Sequence, residues 1–371
     1  MGFNCLKSFV VAALSFVMVL ASPMMVAAQH EEAHGQEAAG EEKFNPGEAI
    51  LHHIADAHEF HFFTLKKSDG SEIHATLPLP VILYSPQKGF SMFMSSKFHG
   101  TEAYNGYKIE HDKVVAVDAA GNVDESVKVY DFSMTKNVVQ MIIALVVLVW
   151  LMLSIAKKYR SGQGVTSAPK GFQNAIEPVI TFVRDDIAKP NLNTNYHKYM
   201  PYLLTVFFFI LINNIFGLLP GAANVTGNIA FTAMLGIIAF LIILFSSGKD
   251  YWAHIFWFPG VPLPVKFLML PVELLSMFTK PFALIIRLFA NMAAGHIIIL
   301  SFISLIFIFT EMSTIAGVSF APVSIAFAVF IYLIEILVAF IQAYIFTTLA
   351  AVFIGDAIGN HHHEEGAAGH H

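Results

Sequence analysis

From residue 138 onward the sequence is a series of apolar segments that are long enough to cross a lipid bilayer. The first covers residues 138–155 and ends directly before the basic run KKYR. Two more cover about residues 199–219 and 229–245, and two much longer ones cover residues 281–309 and 320–354. A bilayer core of roughly 30 Å needs about 20 apolar residues in a helix. The pattern predicts an all-α polytopic membrane protein with about five transmembrane helices.

The composition supports this interpretation. Apolar residues make up 56% of the 371 residues and charged residues only 13%, and the mean hydropathy is +0.63. These values lie outside the range of soluble globular proteins. The net charge of −6 reflects acidic and histidine-rich ends, and without a basic patch the sequence gives no support for nucleic-acid binding.

The last two apolar segments are too long to stand upright in a membrane. They contain about 29 and 35 residues, and at 1.5 Å per residue the second would be roughly 50 Å long. Either each helix is broken or both are strongly tilted. The second has no proline after Pro322, which favours tilt. We expect an antiparallel hairpin of two tilted helices, with a slanted face that suits a large curved partner.

The segment before this expected hairpin, GKDYWAHIFWFPGVPLPVKFLMLP, is rich in aromatic residues and proline. Its tryptophans are typical of a membrane interface. Its prolines argue against one continuous helix.

Residues 1–28 have the pattern of a secretory signal peptide. Lys7 precedes an apolar run that leads to small residues ending at Ala28, where we expect cleavage. The alternative is a retained first membrane helix. Cys5, the only cysteine of the chain, lies in this segment, so a processed chain would have no thiol chemistry.

Residues 29–137 have the composition of a soluble domain. The pieces SEIHATLPLPVILY and KVVAVDAAGNVDESVKVYDF, with the turn AAGN, predict a small β-rich extracytoplasmic domain. Near its start, His58 and His61 with Asp56 are candidates for a metal site. Since no second ligand pair with a definite spacing follows, we favour a solvated, polar helix start and predict no metal.

The distribution of basic residues predicts the orientation. Seven Lys and Arg residues lie between residues 157 and 198, whereas the loop PGAANVTGN has none. By the positive-inside rule this loop lies outside. The domain of residues 29–137 is then extracytoplasmic, residues 138–356 form the membrane domain, and residues 357–371 form a disordered, His-rich cytoplasmic tail.

Three ionisable residues lie deep in the apolar segments: Arg287, His296 and Glu335. Such residues cost about 2.5 to 3.5 kcal/mol each at the bilayer centre, and they often mark an ion or proton path. At about 100° per residue, Asn291 shares a helix face with Arg287. Glu273, Ser276 and Lys280 lie within about 40° of that face. These residues predict a polar stripe from the inner surface to Arg287.

His296 points to nearly the opposite side of the same helix, whereas Glu335 and Gln342 share one face of the last helix. Antiparallel packing would bring His296 close to Glu335. A His–carboxylate pair at this depth suits proton exchange. The alternatives are an ion pair that only holds two helices together and, for Arg287, a side chain that snorkels to the interface.

The segment KPFALIIRLFANMAAGH resembles the a subunit of F-type ATP synthases, the stationary proton-channel subunit beside the rotating ring of c subunits. PVELLSMFTKP before the arginine and AFIQAYIFTTLAAVFI near the C-terminus are similar to further family motifs, in the expected order. NNIFGLLPG followed by NVTGNIAFT fits the region between the second and third spans. The resemblance covers roughly residues 138–354 and does not include the β-rich front.

The resemblance implies that Arg287 faces the ring carboxylate, favours its ionised form and separates two aqueous half-channels. His296 and Glu335 fall where the family has a proton-relaying pair in the outer half-channel, in the order found in mitochondrial relatives. Asn291 and Gln342 match polar positions near the arginine. Glu273 and Ser276 match the inner half-channel, although Ala283 replaces a residue that is often polar there.

The resemblance also implies partners and a location. The chain would be non-catalytic by itself, without a cofactor, and would assemble with the c-subunit ring, b-type peripheral-stalk subunits and the rest of the ATP synthase in a bacterial inner membrane. A histidine in the path favours H⁺ over Na⁺. The sequence has no G-x-x-x-x-G-K loop for nucleotide phosphates.

Two other classes of function are open to a chain with a His–Glu pair in the membrane. A secondary ion-coupled transporter would show inverted repeats, which we do not find. An intramembrane metal enzyme would be expected to carry a pattern such as H-E-x-x-H in its apolar segments. The segments that contain His296 and Glu335 lack it, and the one match, HEEAH at residues 30–34, precedes all five predicted spans.

Overall fold

The computed structural model of the chain describes residues 47, 56–66, 72–98, 103–110, 113–118, 121–124, 126–164, 171–219, 222–256 and 262–358. The predicted signal peptide and residues 359–371 of the predicted tail lie outside these residues. The chain divides into two compact units. The first comprises Met1–Ile143, Ile215–Val225 and Ala293–Ile336, and the second Ala144–Asn214, Thr226–Met292 and Leu337–His371.

Short antiparallel strands form the part of the first unit that precedes the membrane helices, which confirms the prediction of strands there. They are β1 (Glu59–Lys66), β2 (Glu72–Pro78), β3 (Pro80–Ser85), β4 (Gly89–Met94), β5 (Tyr107–Glu110), β6 (Lys113–Ala116) and β7 (Tyr130–Asp131). β1 pairs with β2, β5 pairs with β6, and β3 lies between β4 and β7. Alternate residues of β3, Val81 and Leu83, are fully buried in a core with Phe98 and Tyr107.

The prediction of a polar helix start at residues 48–63 is wrong for residues 56–63, while residues 48–55 lie outside the described part of the chain. Residues from Glu59 form β1, whose partner β2 runs antiparallel to it with a register shift between His61 and Phe63. The physical reason is that EFHFFTLK is rich in aromatic residues and threonine, which favour a pleated, half-buried strand over a helix.

The described residues contain eight α-helices, some joined by short π- or 3₁₀-helical turns. They are α1 (Lys136–Arg160), α2 (Phe172–Phe182), α3 (Lys189–Leu192), α4 (Tyr196–Gly217), α5 (Ile229–Ser246), α6 (Lys249–Phe256), α7 (Leu263–Met312) and α8 (Thr314–Ile358). Within this part of the chain, five helical segments are long and apolar enough to cross a membrane. The protein is therefore a multi-pass membrane protein, as predicted, because a helix satisfies its own backbone groups in lipid.

The predicted limits of the last two helices are wrong. α7 begins at Leu263 rather than at residue 281, and it continues through Pro271 and Pro281. Each proline removes one backbone donor, a loss that membrane helices tolerate because neighbouring groups and local adjustment compensate for it. The expected linker is also mostly helical, since only Ser313 separates α7 from α8. α8 reaches Ile358, so the first two residues of the predicted tail are helical.

Contacts between α7 and α8 order the part of the first unit that carries the candidate site. The rings of Phe302 and Phe327 are stacked with centroids 5.3 Å apart, and those of Phe309 and Phe320 lie 4.6 Å apart. The Ser324 hydroxyl donates to the Phe302 carbonyl at 2.6 Å. These contacts fix the register of the two helices on either side of Ser313.

Candidate functional site

His296 of α7 and Glu335 of α8 form a hydrogen-bonded pair in the first unit. Nδ1 of His296 lies 3.0 Å from Oε1 of Glu335, so the expected approach of these residues is present in the structure. The side chain of Glu335 is only 4% exposed and that of His296 is 19% exposed. The other ring nitrogen of His296, Nε2, lies 2.9 Å from the backbone carbonyl oxygen of Gly217.

The end of α4 supplies this carbonyl, because the last carbonyls of a helix have no partner within it. In the turn that follows α4, the carbonyls of Ile215, Phe216 and Leu219 accept from the backbone N–H groups of Leu218, Leu219 and Ala222. The carbonyls of Gly217 and Leu218 contact side chains of other helices. Gly217 O faces His296, and Leu218 O accepts a hydrogen bond of 2.9 Å from the Tyr332 hydroxyl of α8.

Gln140 of α1 forms two hydrogen bonds with the backbone just beyond this turn. The side-chain amide of Gln140 donates to the carbonyl of Ala223 at 2.5 Å, and its oxygen accepts from the Ala223 N–H at 2.7 Å. Gln140 is buried, with 4% of the residue exposed. Both the NH₂ group and the oxygen of this buried amide therefore have hydrogen-bond partners, which offsets the cost of removing them from water.

The geometry limits which protons the pair can hold. A carbonyl oxygen only accepts, so Nε2 of His296 must carry a hydrogen to bond Gly217. Nδ1 then has two ways to bond Glu335: it donates from a charged imidazole to a carboxylate, or it accepts from a protonated carboxyl. The two states differ by one proton moved across a 3.0 Å contact. The pair is thus built to hold one shared proton.

Two further features shape the position of the Glu335 carboxyl. Among the described residues its second oxygen, Oε2, is buried without a hydrogen-bond partner. Gly295 leaves the space that the carboxyl occupies, because a β-carbon there would lie 2.5 Å from Oε1 and 2.8 Å from Cδ. Any larger residue at position 295 must displace the carboxyl.

Arg287 lies in the second unit beside a cavity of about 430 Å³. The polar side chains that line the cavity all come from α7: Ser276, Thr279, Lys280 and Arg287. Leu349 and Phe353 of α8 complete the wall. The Lys280 ammonium lies 5.1 Å from the centre of the Phe353 ring, which is within the range of a cation–π contact. The cavity therefore follows the polar stripe predicted from helical periodicity.

The guanidinium of Arg287 has no partner in the part of the chain that the structure describes: it takes part in none of the hydrogen bonds or ion pairs there. Arg287 is exposed, and so is Asn291 one turn further along α7. Exposed apolar residues, including Phe282 and Ile286, surround them on this helix. A charged group on such a surface requires a partner from outside the chain or water.

Polar side chains of α4 and α8 are buried in the second unit. Gln342 is 3% exposed, and Asn213 and Asn214 are fully buried. The Asn214 amide donates to the Ala339 carbonyl of α8 at 3.1 Å. This hydrogen bond ties α4 to the turn of α8 that precedes Gln342.

Acidic groups cluster at the start of α7 and the end of α8. Tyr251 of α6 has a pKa above its ordinary value, first because of burial and then because of the negative charges of Glu273 and Asp356. Both carboxylates therefore lie near the Tyr251 hydroxyl. Glu273 was predicted to be part of the polar stripe, whereas Asp356 was missed, since its position at the end of α8 resembles an ordinary solvated helix terminus.

His58 and Asp56, two of the candidate metal ligands, form hydrogen bonds with other side chains and the backbone. His58 Nε2 lies 2.7 Å from Asp131 Oδ2, while Asp56 accepts from the Thr135 hydroxyl and the Asn137 N–H at the start of α1. Burial raises the pKa of Asp56. Within the described residues no group of three or more metal-ligating side chains is present, and the side chain of His61 lies outside that part.

Sequence reasoning also missed Gly217, Gly295 and Tyr332. Tyr332 precedes Glu335 by three residues, so helical periodicity places both on one face and offered a usable signal. The Gly217 carbonyl offered none, because a backbone group is present at every position.

Comparison with known families and proteins assigns most of the chain. Residues 138–355 match the family described as ATP synthase A chain, and residues 49–132 match a domain of unknown function, DUF8433. ATP synthase subunit a of Chloroherpeton thalassium is 46% identical over 247 residues, covering 65% of this chain and 71% of the relative. ATP synthase subunit a 2 of Chlorobaculum tepidum is 39% identical over 346 residues, covering 92% and 81%.

The similarity extends to the ATP synthase subunit a of an Anaeromyxobacter species, which is 36% identical over 354 residues, covering 91% of this chain and 76% of the relative. The family match spans more than half of the chain, including α4, α7 and α8 and the site residues that they carry. The chain belongs to the a-subunit family of F-type ATP synthases, the proton-translocating subunits of the membrane sector.

Proposed function

We propose that the chain is the stationary subunit that provides two aqueous half-channels to a rotating c-subunit ring, with Arg287 separating them. The observation that carries this proposal is the exposed guanidinium of Arg287, which has no partner among the described residues and lies on an apolar helix surface.

The charge of Arg287 is costly at membrane depth. An arginine at the centre of a bilayer costs at least about 2.5 kcal/mol, so a surface that presents one to plain lipid is unfavourable. A carboxylate on a neighbouring subunit would compensate the charge through a charge-assisted hydrogen bond. The arginine in turn favours the ionised carboxylate, which promotes release of its proton. A ring carboxylate passing Arg287 would therefore lose its proton there.

We assign the cavity beside Arg287 to the inner half-channel. Ser276, Thr279 and Lys280 give it polar groups along one side of α7, and Glu273 with Asp356 supplies carboxylates near Tyr251. Hydroxyl and carboxylate groups can carry a chain of water molecules and exchange protons with them. Asn291 and Gln342 extend the polar positions near the arginine.

We assign His296 and Glu335 to the outer half-channel, as the relay that passes protons between the outer aqueous phase and the ring. A pair that holds one shared proton accepts the next one only after passing the first on. The assignment favours H⁺ over Na⁺, because histidine is the side chain whose ordinary pKa lies nearest to neutral pH, which suits it to taking up and releasing protons.

The remaining assignments follow from the same role. The stacked and hydrogen-bonded residues of α7 and α8 around Ser313 support an antiparallel hairpin, and 45 residues in α8 exceed an upright span of about 20, which supports strong tilt. The partners are the c-subunit ring, b-type peripheral-stalk subunits and the rest of the synthase. The strands are periplasmic and the C-terminus cytoplasmic in a bacterial inner membrane, by the positive-inside rule.

The test is Arg287→Ala in membranes that contain the assembled complex. We expect ATP-driven acidification of inverted vesicles to be lost while nucleotide hydrolysis, measured as phosphate release, continues. The matched control is Arg184→Ala, which removes a guanidinium of the same unit that is already paired with Asp185 at 2.7 Å. This variant should pump within about twofold of the unmodified protein, since surface ion pairs contribute little. Normal pumping by Arg287→Ala would overturn the assignment.

A further inference from the structure

The contact between Tyr332 and the end of α4 has no part in the roles assigned so far. Tyr332 lies three residues before Glu335 on α8, and its hydroxyl donates to the Leu218 carbonyl at 2.9 Å. That carbonyl belongs to the residue directly after Gly217, whose own carbonyl bonds His296 Nε2 at 2.9 Å. One helix thus carries both the carboxyl of the pair and the hydroxyl that holds the backbone next to its imidazole.

We propose that Tyr332 is a positioning residue for proton transfer. By holding Leu218, it keeps the Gly217 carbonyl on Nε2 of His296 and so leaves Nδ1 as the single nitrogen through which the His296–Glu335 pair exchanges its proton. This inference rests on the proposed function of the pair as a relay.

Two adjacent backbone carbonyls at the end of α4 have side chains, not backbone groups, as their partners. The backbone turn after α4 accounts for the carbonyls of Ile215, Phe216 and Leu219, but not for those of Gly217 and Leu218. Each of these two peptide planes is held on its N–H side by one bond of the turn, from Leu218 N–H to Ile215 O at 3.2 Å and from Leu219 N–H to Phe216 O at 3.0 Å. A contact on the carbonyl side adds the second hold that keeps such a plane, at the end of a helix, from tilting. The hydroxyl of Tyr332 holds one plane of this pair, and the plane of Gly217 is directly joined to it.

The Gly217 carbonyl determines which tautomer the neutral imidazole of His296 adopts. With Gly217 O in place, the neutral ring keeps its hydrogen on Nε2 and presents the lone pair of Nδ1 to the carboxyl. If the carbonyl turns away, a ring with its hydrogen on Nδ1 becomes competitive. That ring has nowhere to accept a proton from Glu335, and a proton bound at Nε2 is on the wrong side of the ring. The relay then needs a tautomer change or a ring flip in each cycle.

Few other ionisable groups lie on the described elements around His296 that could change its charge. The elements that meet at His296 are α7, α8 and the end of α4, and their ionisable side chains there are His296, Tyr332, Glu335 and Glu311, the last being 15 positions along α7. The turn after α4 has no ionisable residue.

The experiment compares Tyr332→Phe with Ser324→Ala. Tyr332→Phe removes only the hydroxyl, and Ser324→Ala removes another side-chain hydrogen bond from α8, to the Phe302 carbonyl at 2.6 Å, without contact to the pair. ATP-driven acidification of inverted vesicles is measured as a function of pH for each assembled complex. For Tyr332→Phe we expect the pH of half-maximal pumping to move toward acid by about half a unit, because a charged imidazole loses more than a neutral one when an acceptor is withdrawn. Ser324→Ala should leave the profile in place.

Two results would overturn the inference: profiles that stay in place for both variants, or equal shifts for both, since equal shifts indicate a general packing effect. If Tyr332→Phe does not assemble, Tyr332→Gln and Tyr332→Leu replace it. Gln retains an N–H donor and should leave the profile in place, whereas Leu should shift it, and identical profiles for the two would again contradict the inference.

The same assay separates this inference from the function on which it rests. His296→Ala should abolish pumping if the pair is the relay. Pumping by His296→Ala at the unmodified rate would refute the relay itself. Loss of pumping in His296→Ala, together with an unshifted Tyr332→Phe, would refute only the role of Tyr332.

Discussion

The chain contains two His–carboxylate pairs that use the same chemistry in opposite ways. In the β-rich part, His58 Nε2 lies 2.7 Å from Asp131, and the imidazole is 4% exposed while the carboxylate is 31% exposed. In the membrane helices, His296 Nδ1 lies 3.0 Å from Glu335, and here the imidazole is 19% exposed while the carboxyl is 4% exposed. The imidazole is therefore the more buried group of the first pair, whereas the carboxyl is the more buried group of the second.

The groups around each carboxyl explain the difference. Asp131 also accepts from the Ser133 N–H at 2.8 Å. Burial raises the pKa of Asp131, but the hydrogen bond and charge of His58, together with the hydrogen bonds from Ser133, outweigh burial and lower the pKa overall. Asp131 is therefore held as a carboxylate. The second oxygen of Glu335, by contrast, is buried without a hydrogen-bond partner among the described residues. The first carboxyl is held ionised, whereas the proposed function requires the second pair to exchange a proton.

The strongest test of this contrast is to break or exchange the residues of each pair. His296→Ala and Glu335→Ala should each lower proton pumping at least about 100-fold, the usual scale for loss of a proton-transfer group. The exchange of His296 and Glu335 should retain more activity than either single change, because it keeps both groups in contact. Pumping is measured as acidification of inverted vesicles, with phosphate release as the control for an assembled complex.

The control for the exchange is Asp131→Ala, which removes the carboxylate of the first pair. We expect it to pump within about twofold of the unmodified protein, because Asp131 lies in β7 of the β-rich part and its partners are His58 and Ser133. Equal losses in the exchanged protein and in both single variants would indicate that His296 and Glu335 do not form one relay.

Helical periodicity was enough to predict the meeting of His296 and Glu335. Both residues lie in long apolar segments. If the two helices pack antiparallel, there are few ways to bury both ionisable groups other than against each other. Arg287, Ser276 and Glu273 were predicted on one stripe for the same reason. The five spans were also predictable, because lipid leaves helices as nearly the only way to satisfy the backbone of an apolar chain.

The helix ends and the backbone contacts were not predictable in the same way. Pro271 and Pro281 indicate helix breaks by rules that hold best in water, and α7 passes through both. The Gly217 carbonyl carries no side-chain signal, so its contact with His296 depends on where α4 ends. The ion pair of His58 with Asp131 joins residues 73 positions apart, a distance that local patterns do not cover.

A smaller effect is expected from the residue that leaves space for Glu335. In Gly295→Ala the added β-carbon would lie 2.5 Å from Oε1, so the carboxyl must move from the position in which it bonds His296. Overpacking of this kind costs about 1 to 3 kcal/mol, and we expect pumping to fall about tenfold. Gly248→Ala is the matched control, because the nearest atom to its new β-carbon would be 3.9 Å away. A variant Gly295→Ala that pumps normally would show that the position of the carboxyl is not critical.

The smallest effect concerns the pH dependence of the β-rich part. Because the pKa of Asp131 lies below its ordinary value of 3.8, its stabilising contribution is fully present above that value and is lost as the pH falls through the lower, folded-state pKa. Asp131→Asn removes this contribution at neutral pH, and amide hydrogen exchange of β3 and β7 should accelerate about threefold there, an amount that allows for solvent screening. When exchange rates are corrected for their intrinsic pH dependence, the two proteins should converge as the pH falls below about 4. A difference that instead grows toward acid would mean that Asp131 is not held as a carboxylate, and the contrast between the two His–carboxylate pairs would then lose its physical basis.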